Sequence, residues 1–190
     1  MNNVTRLETL KNLIEKHMEF AKKMFKETGE YTPMIIGYTG TKRIVIVIPF
    51  ENEDEKFTNL QFVKLVFLAK GVKRYTIVHE GYMLKTMDTK EYDKLRREGK
   101  RICDHPDHIE VLQAIAISEK ESRSIIYKIN KDKSLELFED NTDDEISGIF
   151  TELLPPKNTP KHIIESAKEC LKEMNTEIQE YPYEDDDTLN

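Results

Sequence analysis

The first apolar residues of the chain recur at steps of three and four, which places them along one face of a helix. This stripe contains Leu7, Leu10, Ile14, Met18, Ala21 and Phe25. Thr5 and Glu8 have the spacing of a capping box, in which each side chain bonds the other residue's backbone amide. Gly29 fits the left-handed residue that follows a helix. The pattern therefore predicts an amphipathic helix over residues 5–28.

The next apolar runs, PMIIGY and RIVIVIPF, flank a Gly-containing turn and predict a β-hairpin over residues 33–49. The second run is apolar at successive positions, so we expect a central strand that is covered on both faces. Residues 54–70 follow the helical pattern, with apolar side chains at Phe57, Leu60, Phe62, Val63, Val66 and Phe67. We expect this helix to end at Gly71 and to be buried on the sheet for much of its girth.

Strand patterns return at residues 73–84 and again after a charged insert at 85–104. The later segments, HIEVLQAIAIS, RSIIYKIN and SLELFED, are separated by the polar turns SEKES and KDK, which predicts an antiparallel meander. Within the insert, only Met87, Tyr92 and Leu95 can anchor the charge-dense residues 85–101. We expect a mobile loop or a short exposed helix there.

The C-terminal part predicts two helices and a tail. The first helix is short, opens near Asp143, ends before Pro155 and has the stripe Ile146, Ile149, Phe150 and Leu153. Thr159 and Pro160 then have the form of a cap followed by a first helical residue. The second stripe runs through Ile163, Ala167, Cys170, Leu171, Met174 and Ile178, where Cys170 is expected to pack. Residues 180–190 predict an acidic, disordered tail.

These elements predict an α+β fold in a single domain over residues 1–179. We expect a single mixed, largely antiparallel sheet of about six strands, because one sheet with helices on its faces buries every apolar stripe. An N-terminal helix, a central helix and the C-terminal helices would pack on those faces.

Charge and cysteine content narrow the class of protein. The formal net charge is −7, and five of the 36 acidic residues lie in the last eleven, so the body is close to neutral. Broad binding to a phosphate backbone is therefore not favoured. The two cysteines are far apart, which predicts a reducing, cytoplasmic compartment. No signal-peptide pattern is visible, and the longest apolar run, IVIVIP, is too short to span a membrane.

One cluster of residues has metal-binding chemistry. The stretch ICDHPDHIEVLQ at 102–113 brings Asp104, His105, Asp107 and His108 together in sequence. A metal site would combine His79, His105 and His108 with Asp104 or Asp107, and Glu80 would act as general base. The alternative is an Asp/Pro turn that leads into a strand, with His79 as a hydrogen-bonded core residue. The spacing matches no strong metal signature.

Two further features carry weaker chemical hypotheses. Cys103 would be a nucleophile only if His105 lowered its pKa, and an ordinary thiol is the alternative. Lys94, Arg96, Arg97, Lys100 and Arg101 form a basic segment that could contact phosphates or an acidic partner. Interleaved acidic residues also fit a solvated surface. GYTGTK lacks the spacing and the following helix of a phosphate loop, so it predicts a hairpin turn.

EGY at 80–82, followed by a polar insert and HPDHIEVLQAIAIS, resembles a pattern in uncharacterised bacterial and phage-encoded proteins. In that pattern an E-A-W-like strand end precedes H-P-D-R-x-E-V-L and a strand hairpin. The resemblance covers residues 75–130, and the chain departs from it at Tyr82 and His108. It implies element boundaries and no activity, and a basic residue at the position of His108 argues against a metal ligand there. The order of elements is also loosely similar to JAB/MPN domains, whose metal motif, H-x-H-P followed by S-x-x-D, is absent.

Three hypotheses for function follow. The first is a non-enzymatic cytoplasmic protein, of a kind that phages or mobile elements encode, that acts through a protein partner and for which no cofactor is favoured. The second is a metal-dependent hydrolase, with a divalent metal such as Zn at the histidine cluster. The third is nucleic-acid binding through the basic segment, which would weaken steeply with salt.

Overall fold

A computed structural model describes residues 9–85, 89–141, 150–175 and 178–183 of the chain. The described helices are α1 (Leu10–Thr28), α2 (Glu53–Lys70), α3 (Thr89–Arg97) and α4 (Lys161–Glu173), with a short 3-10 turn at Ile102–Asp104. The strands are β1 (Met34–Tyr38), β2 (Lys42–Val47), β3 (Arg74–Leu84), β4 (His108–Ser118), β5 (Ser122–Ile129), β6 (Leu135–Asn141) and β7 (Gln179–Pro182). They form one sheet in the order β6-β5-β4-β3-β1-β2-β7, and each pairing is antiparallel. The predicted α+β fold is confirmed, with seven strands in place of about six.

Helix α1 starts later than the apolar stripe indicated. The side chain of Thr9 accepts a hydrogen bond from the amide of Asn12, so Thr9 is the N-cap of the described helix. The predicted capping box at Thr5 and Glu8 lies outside the described residues. At the other end Gly29 has a φ of 79° and donates its amide to Phe25, as the pattern predicted.

Helices cover the two faces of the sheet unequally. Helix α1 packs on β3, β4 and β5, where its stripe meets Val78, Leu112 and Ala114. Helices α2 and α4 pack on each other and on the opposite face, around Phe67 and Ile77. Helix α3 reaches the sheet through Tyr92, which packs against a small cluster of Met83, Val111 and Ile126.

Two expectations about burial are wrong. Strand β2 is next to the edge strand, with Ile44 and Ile46 buried on one face and Val47 50% exposed on the other. It is therefore not a central strand covered on both faces; β3 occupies the centre. Phe57 of α2 is 56% exposed, because the helix faces the sheet through Val63 and Phe67, which are fully buried.

The C-terminal prediction also requires correction. Asn175 adopts a φ of 48° just after α4, so the helix ends at Glu173 and does not continue to Ile178. Residues 179–182 form strand β7, so the predicted tail does not begin at residue 180; residues 184–190 lie outside the described part. Cys170 is exposed, and Leu171 takes the buried position.

Two smaller C-terminal features differ as well. The side chain of Thr159 donates to the carbonyl of Pro156 and does not cap α4, whose N-cap is Pro160. Most of the predicted short helix at 143–155 lies outside the described residues; Phe150 and Leu153 are buried but not helical. Across the described ranges, none of the helices is long and apolar enough to cross a membrane.

Candidate functional site

The predicted metal site required the side chains of His79 and Glu80 to act together. Both residues lie on strand β3, but their side chains point to opposite faces of the sheet. Alternation along β3 turns His79 toward the face that α2 covers, with Tyr75 and Ile77. Glu80 turns toward the α1 face, where its carboxylate accepts a hydrogen bond from the amide of Tyr31. The two side chains therefore cannot share a metal ion or a water molecule.

His79 is a buried, neutral residue of the core. Its ring lies on that of Phe150, with centroids 4.6 Å apart, and its Nδ1 donates to the carbonyl of Glu80 at 3.0 Å. Its Nε2 is buried without a hydrogen-bond partner within the described structure. Loss of hydration on burial lowers the pKa of His79 to about 4, although the bond to Glu80 opposes this and Lys56 adds to it.

The HPDH stretch builds a turn that attaches α3 to the sheet. His105 Nδ1 accepts the amide of Asp107 at 3.1 Å, and His105 Nε2 lies 3.0 Å from the carboxylate of Glu91 on α3. His108 Nδ1 donates to the carbonyl of His105 at 2.6 Å. Both histidines therefore bond within the turn or to α3. This arrangement agrees with the interpretation of the stretch as a turn that leads into a strand, and it adds the contact between His105 and Glu91.

Asp104 is held by an arginine and not by a histidine. Its carboxylate accepts two hydrogen bonds from Arg101, at 3.0 and 3.1 Å, and these bonds lower its pKa. Cys103 Sγ donates to the same carboxylate at 3.8 Å, and not to His105. The metal set of His79, Asp104, His105 and His108 is not brought together, and the described residues contain no His, Cys, Asp and Glu group arranged to hold a metal.

The basic segment is folded into α3 and the turn after it. Arg97 donates to the carbonyl of Asp93 at 3.2 Å, and Lys100 pairs with Glu98 at 2.8 Å. Arg101 pairs with Asp104, as described above. Three of the five predicted interaction residues thus have partners within the segment. This local pairing agrees with the alternative in which the segment is an ordinary solvent-exposed surface. Lys94 and Arg96 lie on α3, whose side toward the sheet is marked by Tyr92 and the buried Leu95.

The sequence interpretation missed a buried polar network on the α1 face. His17 of α1 is 2% exposed, with Nδ1 2.7 Å from the hydroxyl of Thr76 and Nε2 3.3 Å from the hydroxyl of Tyr31. Burial lowers the pKa of His17 to about 3 and raises that of Tyr31. The available signal was its position: His17 lies on the stripe of Ile14, Met18 and Ala21. Since Thr76 is fully buried, the network connects α1 to β3 inside the core.

The sheet has one large area that no described helix crosses. Helix α1 covers β3, β4 and β5, and the same face of β1, β2 and β7 extends beyond it. We call this area the open face; it consists of Ile36, Tyr38, Arg43, Val45, Val47, Arg74, Gln179, Tyr181 and Tyr183. Val47 is 50% and Tyr181 41% exposed. The apolar run at 43–49 was the sequence signal for the open face. The expectation that helices cover both faces of this strand was the reason that the open face was not predicted.

Arginine and tyrosine side chains alternate along one end of the open face. The guanidinium carbon of Arg74 lies 5.8 Å from the ring centre of Tyr38 and 5.7 Å from that of Tyr183. The rings of Tyr38 and Tyr183 meet edge to face, 5.3 Å apart. Arg43 lies over Tyr181 in the same way. Such contacts hold large side chains in fixed positions on an exposed surface.

Comparison with known proteins adds no assignment: no family model, curated protein or solved structure matches the chain.

Proposed function

We propose that this protein binds another protein through the open face, and that the partner presents an apolar and acidic surface. The observation that carries the proposal is the part of the sheet over β1, β2 and β7 that no described helix covers, on the face where α1 covers β3 to β5. Covering the apolar side chains of a sheet face removes them from water, which lowers the free energy and favours binding.

The composition of the open face supports this proposal. Tyrosine and arginine are enriched where proteins bind each other, and Arg43 and Tyr181 supply both. Val45 and Val47 form an aliphatic centre beside them. Covering a half-exposed valine and its neighbours would contribute about 25 cal/mol for each Å² of apolar surface removed from water.

The charge on the open face indicates the chemistry of the partner. The strand positions that form it include two arginines and no acidic residue, although the chain as a whole has a net charge of −7. An acidic partner would be attracted to this face. A single-stranded nucleic acid would also find arginine and tyrosine there, but it would need exposed rings for stacking. Tyr181 is 41% exposed but Tyr38 only 5%, so successive bases would not find a row of exposed rings, and the aliphatic centre favours a protein.

A peptide selection tests the proposal without a known partner. The full chain would select from a displayed library of random peptides, and the affinities of the selected peptides would be measured by fluorescence anisotropy. We expect a consensus that combines acidic and large apolar residues. Val47→Asp and Arg43→Glu should each weaken binding about tenfold or more, because they place negative charge against it.

Ile163→Asp provides the matched control, since Ile163 is 42% exposed on α4, on the other side of the sheet. Its affinity should equal that of the unmodified chain. The proposal fails if the selected peptides lack acidic residues, or if Val47→Asp binds as tightly as Ile163→Asp. It also fails if single-stranded DNA displaces the selected peptide at equal concentration.

A further inference from the structure

A lysine-lined cavity lies on the opposite side of the sheet from the open face. Its volume is about 790 Å³, and it lies between the β1–β2 turn, β2 and the C-terminal ends of α2 and α4. Ligand sites for small molecules usually have volumes of roughly 300–1,000 Å³. The cavity is therefore large enough for a small organic molecule.

The lining combines an apolar surface with an excess of positive charge. The apolar surface comes from the partly exposed Ile178 and from the small exposed fractions of Ala69 and Leu171, with Ile44 buried behind them. Among the described residues of the lining, four lysines and one glutamate supply the charge: Lys42, Lys70, Lys168, Lys172 and Glu180. This balance is the reverse of the whole chain, in which acidic residues outnumber basic ones.

Glu180 shows that Lys42 and Lys70 are placed to hold an oxyanion. Its carboxylate accepts hydrogen bonds from Lys42, at 2.7 Å, and from Lys70. These two bonds lower the pKa of Glu180, so the carboxylate stays ionised between them. A carboxylate from β7 therefore occupies the position in which two lysines meet.

Lys168 and Lys172 lie on α4, across the cavity from Lys42. Lys168 pairs with Glu165 of its own helix at 2.8 Å, and both side chains are largely exposed, so this pair is weak. Lys172 is in the last turn of α4. Both ammonium groups can therefore turn toward a ligand at little cost.

We propose that this cavity binds a small organic molecule with a phosphate group. Lysine binds phosphate as a point charge, and a doubly charged phosphate would offset the excess lysines. The organic part would lie on the partly exposed Ile178 and on Leu171. The phosphate would lie between Lys42 and Lys172 and would compete with Glu180 for Lys42. The inference does not depend on the open face, so the two proposals can fail separately.

A different account of the lysines makes a different prediction. Lys70 and Lys172 are each in the last turn of a helix, where a positive charge offsets the negative end of the helix dipole. If that were their role alone, replacing them would lower stability and no anion would bind. Binding measurements separate the two accounts.

Calorimetric titration of the full chain tests the proposal with three probes: ADP, inorganic pyrophosphate and adenosine. We expect one ADP per chain, weaker binding of pyrophosphate and none of adenosine. Lys172→Gln should weaken ADP binding about tenfold, since it removes one charge from the phosphate. Lys120→Gln, in the exposed turn between β4 and β5, is the control and should bind ADP with unchanged affinity.

Glu180→Gln provides a second test, because a purely structural role for the lysines does not predict tighter binding of ADP by this variant. Removing the competing carboxylate should tighten ADP binding about threefold or more, because Lys42 and Lys70 become available to the phosphate. No binding of ADP at millimolar concentration would overturn the proposal, as would equal affinities for Lys172→Gln and Lys120→Gln. Pyrophosphate binding as tightly as ADP would rule out the organic part, and adenosine binding as tightly would rule out the phosphate.

Discussion

Arg43 of β2 and Tyr181 of β7 face each other in the sheet, and the guanidinium carbon of Arg43 lies 5.5 Å from the centre of the Tyr181 ring. Strand β7 is only four residues long and forms one edge of the sheet. The contact therefore holds an edge strand against its neighbour and at the same time positions two side chains of the open face.

A double-mutant cycle measures this contact. Arg43→Ala, Tyr181→Ala and the double variant should give a coupling of about 0.5–1 kcal/mol in the free energy of unfolding, the value of an exposed cation–π pair. Arg43→Ala combined with Tyr82→Ala is the control, because Tyr82 is similarly exposed and lies on β3. Additive effects in both cycles would contradict the contact.

The buried state of His17 predicts a loss of stability in acid. Its pKa is lowered from 6.5 to about 3 by burial, so the folded protein holds the neutral ring. Below pH 6.5 the unfolded chain takes up a proton that the folded chain does not. The free energy of unfolding should then fall by up to about 1.4 kcal/mol per pH unit from this one group.

Comparison with His17→Gln isolates this effect, since His79 has a lowered pKa as well and Glu80 a raised one, which acts in the opposite direction. Urea unfolding between pH 6.5 and 4.5 should show a shallower decline for His17→Gln than for the unmodified chain. His162→Gln, at an exposed position on α4, should follow the unmodified chain. Parallel curves for all three would show that His17 is not protected from protonation.

Gly37 allows the close approach of α2 to the sheet. A Cβ at this position would lie 2.8 Å from a ring carbon of Phe67 and 3.1 Å from Val72, both of which are buried. Gly37→Ala should therefore lower the free energy of unfolding by about 1–3 kcal/mol, the usual cost of overpacking. Gly40→Ala, where a Cβ meets nothing within 4 Å, should change it little. Equal values in denaturant unfolding would contradict this packing.

Tyr92 connects α3 to the end of β3. Its hydroxyl accepts the amide of Leu84 at 2.8 Å, and Leu84 is fully buried. Tyr92→Phe leaves that amide without its acceptor and should cost about 1–3 kcal/mol. Tyr82→Phe is the control, because Tyr82 is 47% exposed. Hydrogen exchange should locate the loss at Leu84; an unchanged exchange rate there would contradict the bond.

The apolar periodicity predicted most of the elements, and long-range contacts decided the rest. Helix α1, the hairpin of β1 and β2, and the meander of β4, β5 and β6 follow from local pattern. Strand β7 does not, because Ile178 continues the stripe of α4 and only the left-handed Asn175 shows that the helix has ended. Its pairing with β2 depends on residues that are distant in sequence, such as Lys42 and Glu180.

The candidate site was harder to predict than the fold because proximity in sequence is not proximity in space. His79 and Glu80 are adjacent, yet alternation along β3 puts them on opposite faces. His105 bonds to Glu91, fourteen positions earlier, and this partner was not foreseen. The open face is invisible locally, since nothing in the run at 43–49 tells which of its two faces a helix covers.

The most direct test of the open face is amide chemical-shift mapping with a selected acidic peptide. ¹⁵N-labelled full chain would be titrated with the peptide, and the perturbed amides placed on the structure. The account predicts the largest shifts in β1, β2 and β7, at Ile36, Val45, Val47 and Tyr181. Largest shifts at Lys94, Arg96 and Arg97 of α3, with β2 unperturbed, would contradict it and assign binding to the basic segment.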